Sequence, residues 1–302
     1  MATSERKEIN KLGRELRYIA QKRPRDIVRD LEKIEVADRK YTNSRKRYQT
    51  WLSISVIFIF ASFFLMFILW LGITFLAVAI VASLIFGYCY SKYARLKLEP
   101  YRYSIVKKLA YLLERDMSAT SNLNVDLDFT KSIIKPKLVS EGKHPTRRGW
   151  NLKIYQDSWL KIAGEFCDRT NFELNITEQH HHASGWKRGR SGKRKHKSKH
   201  KFKGSEICLQ LRYPAKKYGA IQVLQQDADK AIALPEYARL KSFKLNNKSI
   251  FLKAKISPQF DLQTRNSRGM SQEQKIDTTY ETVTAMFLSL YQILNLARTL
   301  SK

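Results

Sequence analysis

Apolar side chains follow three patterns along this chain, helical spacing, an unbroken run and strict alternation, and each predicts a different kind of element. Ile9, Leu12, Leu16 and Ile19 return every three or four positions with Arg6, Lys7, Arg14 and Arg17 between them, which predicts an amphipathic helix with a basic outer face. Pro24 interrupts, and Ile27, Leu31 and Ile34 predict a second helix running toward Asp38. Residues 51–90 then carry no Asp, Glu, Lys, Arg or His. About 20 apolar residues cross the hydrocarbon core of a bilayer, so this stretch suffices for two crossings. The turn between them falls at Trp70, Leu71, Gly72, Ile73 and Thr74. A further helix is expected over 93–117, striped by Ile105, Leu109 and Leu112 and restarted at Pro100. The polar cluster 118–122 ends it.

Beyond residue 122 the period changes to two. Leu123, Val125, Leu127 and Phe129 alternate with Asn124, Asp126 and Asp128, the pattern of a half-buried strand. After a basic, proline-containing loop, Trp150, Leu152 and Ile154 alternate again, as do Phe172, Leu174 and Ile176, and Ile207, Leu209, Leu211 and Tyr213. Residues 159–166 suit a strand or a short helix, and 214–238 fit both patterns equally. A hairpin over 240–256 folds at Asn246, Asn247 and Lys248, since Asn tolerates the left-handed conformation of a tight turn. Helical spacing returns in Ile276, Tyr280, Val283, Phe287, Leu290 and Leu294, with Ser271 as cap and Gln274 three residues on.

These elements define the expected fold class, a membrane-anchored α+β protein. It combines cytoplasmic amphipathic helices over 1–50, a two-helix transmembrane hairpin over 51–90 and a juxtamembrane helix over 91–117. A mainly antiparallel sheet domain with a long terminal helix occupies 118–302. Orientation follows from the flanks: Arg45, Lys46 and Arg47 precede the hairpin, and Lys92, Arg95, Lys97 and Arg102 follow it. Basic flanks stay on the cytoplasmic side, so both termini are expected there, in an inner or plasma-type membrane. Trp51, Tyr88, Tyr90 and Tyr93 fall at one interface and Trp70 at the other. Ala79, Ser83 and Gly87, four residues apart, line one face with small side chains and allow close packing against the first span or against another copy. The uncharged interior argues against a proton relay or an ion-coupled transporter. Cys89, Cys167 and Cys208 have no close spacing and suit a reducing compartment.

Charge adds the candidate chemistry. The formal excess is +29, and its densest concentration is a loop over 185–204, expected as a mobile segment or an extended hairpin tip. It holds Lys187, Arg188, Arg190, Lys193, Arg194, Lys195, Lys197, Lys199, Lys201 and Lys203 without an acid. Held between two strands, these ten cations form a candidate anion-binding site for an anionic leaflet or an acidic protein. Nucleic acid is a second candidate partner, with Trp186 and Phe202 available for stacking. The nucleotide-loop pattern fails, because Arg194 stands where Ser or Thr is required and Lys187 where the first glycine belongs.

His180, His181, His182, His196 and His200 have no scaffold or cysteine pair that implies a metal. Asp126 and Asp128 share a strand face and read as solvated carboxylates before they read as a hydrolytic pair. No nucleophile elbow, zinc signature or dinucleotide fingerprint is present. The expectation is therefore a non-enzymatic, cofactor-free binding or scaffold protein on a membrane anchor. The alternatives are an oligomerising effector that perturbs the bilayer through the hairpin, and a membrane-tethered nucleic-acid-binding protein or hydrolase.

Overall fold

The computed structural model describes residues 16–66, 71–95, 98–218, 221, 223–224, 228–258 and 271–300. The chain forms two compact units, one comprising Met1–Leu16 and Arg29–Glu99, the other Arg17–Val28 and Pro100–Lys302. Most of the first expected helix, including Ile9 and Leu12, lies outside the described residues.

Helix α1 (Pro24–Met66) runs for 43 residues without a break. The sequence reading divided this span into a cytoplasmic helix and a membrane crossing. No Gly or Pro occurs between Arg25 and Met66 to stop it, so a charged half and an apolar half share one helix. Helix α2 (Leu71–Arg95) runs antiparallel to it. Tyr48 stacks on Tyr93 at 5.5 Å, Trp51 on Phe86 at 6.1 Å, and the Ser83 hydroxyl donates to Ser55 Oγ at 2.9 Å. Over Ile73–Ala94 this helix is 22 residues long with mean hydropathy 2.1, long and apolar enough to cross a membrane; among the described residues it is the one helix that is. Only 6% of its apolar window is buried. Ile57, Phe58, Phe60, Phe75, Val78 and Leu84 are likewise exposed.

The second unit is α+β. Its strands are β1 (Arg17–Lys22), β2 (Leu123–Asp128), β3 (Leu138–Lys143), β4 (Trp150–Glu165), β5 (Asn171–Arg188), β6 (Arg194–Arg212), β7 (Ala238–Asn246) and β8 (Ser249–Ile256). They form one antiparallel sheet in the order β1-β2-β4-β5-β6-β8-β7, with β3 paired to β4. β1 corrects the expectation of helix at Arg17 and Ile19. Its alternate residues face solvent, Ile19 included, and a short strand at a sheet edge produces no strong period. β3 appears where a loop was expected, and of 159–166 all but Phe166 continue β4.

Helices α3 (Pro100–Glu114) and α4 (Gln272–Leu300) belong to this unit, and Lys108 of α3 bonds Asp277 of α4 at 2.8 Å. The covered sheet face is largely aliphatic: Val125, Leu160, Ile162, Leu174, Ile176, Leu209 and Leu252 are all buried. They meet Ile105, Val106 and Leu109 of α3 and Val283, Met286 and Leu290 of α4 in the apolar core. Ser271 and Gln274 close a reciprocal capping box at the start of α4, Gln274 N–H donating to Ser271 Oγ at 3.1 Å and Ser271 N–H to Gln274 Oε1 at 2.9 Å.

Two bulges determine what each sheet face carries. In β4 the register shifts between Ser158 and Leu160, inserting Trp159. Asp157 therefore faces the helices on one side of the shift, and Leu160 and Ile162 on the other. In β6, Lys203 and Gly204 together oppose the single residue Gln179 of β5. Gly204 has φ +112°, and a Cβ there would collide with the Ile256 carbonyl oxygen, so only glycine fits.

Candidate functional site

Beyond this second bulge β5 and β6 leave β8 behind, stay flanked by β4 as far as Gly185 and then continue as a two-stranded ribbon. β8 pairs with β6 only from Ser205 onward, and β4 pairs with β5 only as far as Gly185. Gly185 admits the Trp150 ring, since a Cβ would meet it at 2.6 Å, and Arg147 lies 4.8 Å over that ring. The ribbon closes through Gly189, Arg190, Ser191, Gly192 and Lys193, where Gly192 has φ +75°. The tract expected as a mobile loop or hairpin tip is thus mostly strand.

Alternation divides the ten cations. Lys195, Lys197, Lys199 and Lys201 of β6 lie on the open face, away from α3 and α4, opposite Lys187, Gly185, Ala183 and His181 respectively. Successive lysines on that face repeat at about 6.6–6.8 Å, two residues of strand rise. The other face carries the cross-strand pairs Arg188–Arg194, Trp186–His196, Ser184–Ser198, His182–His200 and His180–Phe202. Arg190 and Lys193 lie in the tip, and Lys203 in the bulge. Elsewhere on the open face acids are matched by cations: Arg17 donates to Asp126 at 2.7 Å, Lys161 reaches Glu173 at 2.9 Å, and Lys253 reaches Glu206 at 2.7 Å. Among the described residues no such acid accompanies the lysines of the ribbon.

The ribbon is rooted in a buried polar network that the sequence reading did not identify. Glu178 and His180 of β5 are almost wholly buried, with His180 Nε2 donating to Glu178 Oε2 at 3.0 Å. His180 Nδ1 lies 3.0 Å from His200 Nε2, and the rings stack with centroids 5.1 Å apart. From α3, the Tyr101 hydroxyl donates to Glu178 at 3.0 Å. From α4, the Lys275 ammonium lies 3.7 Å from Glu178, between the rings of Tyr101 (4.5 Å) and Phe202 (4.4 Å). Burial works against the Glu178 charge. The His180 bond and the charges of Lys275 and Arg102 outweigh it and hold the carboxyl down to about 2. Arg102 donates to Asp157 at 2.7 Å, to Ser132 at 3.2 Å and to the Asp128 carbonyl at 2.6 Å. Lys137 lies 2.6 Å from Asp157 and 2.8 Å from Asp128. Asp126 and Asp128, read from the sequence as solvated carboxylates first, are engaged in separate ion pairs.

All six histidines of the chain belong to this region, His144 in the β3–β4 connection and the rest on β5 or β6. Among the described residues no three His, Cys, Asp or Glu are grouped to hold a metal. A groove of about 520 Å³ lies elsewhere, floored by Phe166, Phe287, Leu288 and Tyr291 and edged by Arg115, Asp116, Lys217 and Arg298. Its charges are of both signs. Its other carboxylate, Asp168, is taken up by Thr170 and by the Tyr218 hydroxyl, each at 2.9 Å. Burial, with the Asp168 bond, pushes Tyr218 up to about 12.

In the other unit Ala79, Ser83 and Gly87 turn toward α1. Ser83 bonds Ser55, and a Cβ on Gly87 would touch Leu52 at 3.9 Å, so this small-residue face is occupied within one chain. No family model, curated protein or solved structure matches the chain.

Proposed function

We propose that the chain is an integral membrane protein whose ribbon docks on an anionic surface, foremost the headgroups of anionic lipids. In this reading α2 and the apolar end of α1 form a transmembrane hairpin, and both termini are cytoplasmic. The exposed apolar side chains of both helices support the anchor, because such surface is stable in lipid and not in water. The anionic partner rests on one observation, the row of lysines on the open ribbon face with no acid beside it among the described residues. Like charges so arranged cost folding energy, which an opposing charged surface offsets. Near an anionic leaflet each contributes on the order of 1 kcal/mol. No catalytic role is invoked.

The test uses the full chain in nanodiscs of neutral lipid, mixed with vesicles that do or do not contain phosphatidylglycerol. Selective capture of the anionic vesicles, lost at high salt and in a variant with Lys195, Lys197 and Lys199 changed to Ser, supports the reading. Equal capture of neutral vesicles refutes it. Preferential binding of single-stranded RNA over the anionic vesicles would reassign the ribbon to nucleic acid.

A further inference from the structure

The tip cations are suited to any negative surface, whereas the root of the open face is more specific. His181 sits there, paired across the ribbon with Lys201 and on its other side with Ile154. Two residues back on the same face, Gln179 accepts from the Lys255 ammonium at 3.5 Å, leaving its amide hydrogens free to donate. Lys203 completes the surroundings from the bulge. His181 is partly shielded from solvent. That burial, followed by the charges of Lys203, Lys255, His144 and Lys201, lowers its proton affinity. Four neighbours that repel a proton amount to four neighbours that attract an anion. The chain has thus assembled donors from β5, β6 and β8 around one titratable ring, and the neighbouring carboxylate on that face, Glu206 opposite Lys255, is held by Lys253 at 2.7 Å.

We infer that His181, Gln179, Lys201, Lys203 and Lys255 form a subsite for a phosphomonoester, the doubly ionisable phosphate of a lipid headgroup or a free phosphate. A phosphomonoester loses its second proton near pH 6, about where histidine titrates, and carries between about −1.5 and −2 charges at neutral pH. Lysine ammoniums and the Gln179 amide meet its oxygens, and His181 gains a proton as the dianion approaches. A phosphodiester offers one charge and no shared titration, so it binds the tip without engaging the root. This inference rests on the proposed docking of the ribbon on anionic surfaces and names the chemistry its root selects.

The experiment uses the full chain in neutral nanodiscs and three probes: vesicles with phosphatidic acid, vesicles with phosphatidylglycerol matched for surface charge, and inorganic phosphate. Wild type should prefer phosphatidic acid about tenfold. His181→Gln and Lys255→Ala should each bring that preference to within about twofold while retaining phosphatidylglycerol binding, which also reports that the variants are folded. The His181 ring resonance should show its pKa rising when phosphate is present. A rise with inorganic phosphate makes free phosphate a sufficient ligand, and a rise with phosphatidic acid alone assigns the site to lipid; both sustain the subsite. Equal binding of the two lipids by wild type, or a preference that survives both substitutions, overturns it and leaves the docking role intact. Binding to neither lipid overturns the docking role itself.

Discussion

The guanidinium of Arg102 meets the carboxylate of Asp157 at 2.7 Å, and neither side chain is exposed to solvent. Without Arg102, Asp157 keeps Lys137 at 2.6 Å, but removing Asp157 takes the bonded carboxylate from a guanidinium that has no exposure, which costs about 3–5 kcal/mol. Asp157→Leu should therefore lower the urea midpoint sharply. Arg102→Met combined with Asp157→Leu should recover much of the loss, with Lys137 still held by Asp128. A double variant no more stable than the single one would show that the pair's geometry, more than its charge, matters.

Acid should loosen the root of the ribbon before the rest of the sheet. Glu178 is held down to about 2, and Asp128 lies below its ordinary value because Lys137 and Thr130 outweigh the effect of burial. Depressed carboxylates stabilise the fold above their unfolded pKa, near 4, and that contribution disappears as pH falls through the folded values. Thermal midpoints should decline between about pH 4.5 and 2, and Glu178→Gln should flatten the slope.

A separate dependence arises nearer neutrality. His181 and His200 are both held low, His200 by burial and then by His180, His182 and Lys275, with Glu178 opposing. The folded state favours their neutral forms, so stability is full above about pH 6.5 and is lost as pH falls through the lower folded values. Amide exchange in residues 178–203, corrected for its intrinsic pH dependence, should accelerate as pH falls below about 6.5 in the absence of ligand. His200→Gln should reduce that acceleration, and an unchanged profile would place the sensitivity elsewhere.

Gly204→Ala should cost more than the usual helix or strand substitution. The residue combines φ +112° with a carbonyl oxygen in the path of the new methyl group, and strain of this kind costs at least about 1–3 kcal/mol before the clash is added. A lower melting temperature with faster exchange on both sides of residue 204 is expected; a wild-type melting curve would contradict the bulge geometry.

Much of the sheet was legible because its strands bury one face. Val125, Leu174 and Leu209 advertise a period of two, the Asn247-Lys248 turn closes β7 onto β8, and Ser271 with Gln274 marks the start of α4. β1 escaped because an edge strand of six residues leaves Ile19 outside and imitates helical spacing. The length of the ribbon escaped for another reason. From Lys195 to Lys203 every second residue is lysine, a strand signal written in charge, which a reading by density alone passes over. Arg102, Asp157, Glu178 and His180 could not be found from composition, since ionisable residues are mostly on surfaces and only the fold reveals which have been paired and enclosed.

The extra residue at Lys203 and Gly204 works as a parity switch for everything distal to it. Were Lys203 and Gly204 to continue the regular alternation from Ser205, β6 would exchange its two sides, turning its lysines toward Trp186 and His182 and its aromatic and imidazole groups outward, whereas deleting one of the two leaves every distal residue on its present side. The polarity of the whole appendage is thus encoded in a single uneven step of the backbone.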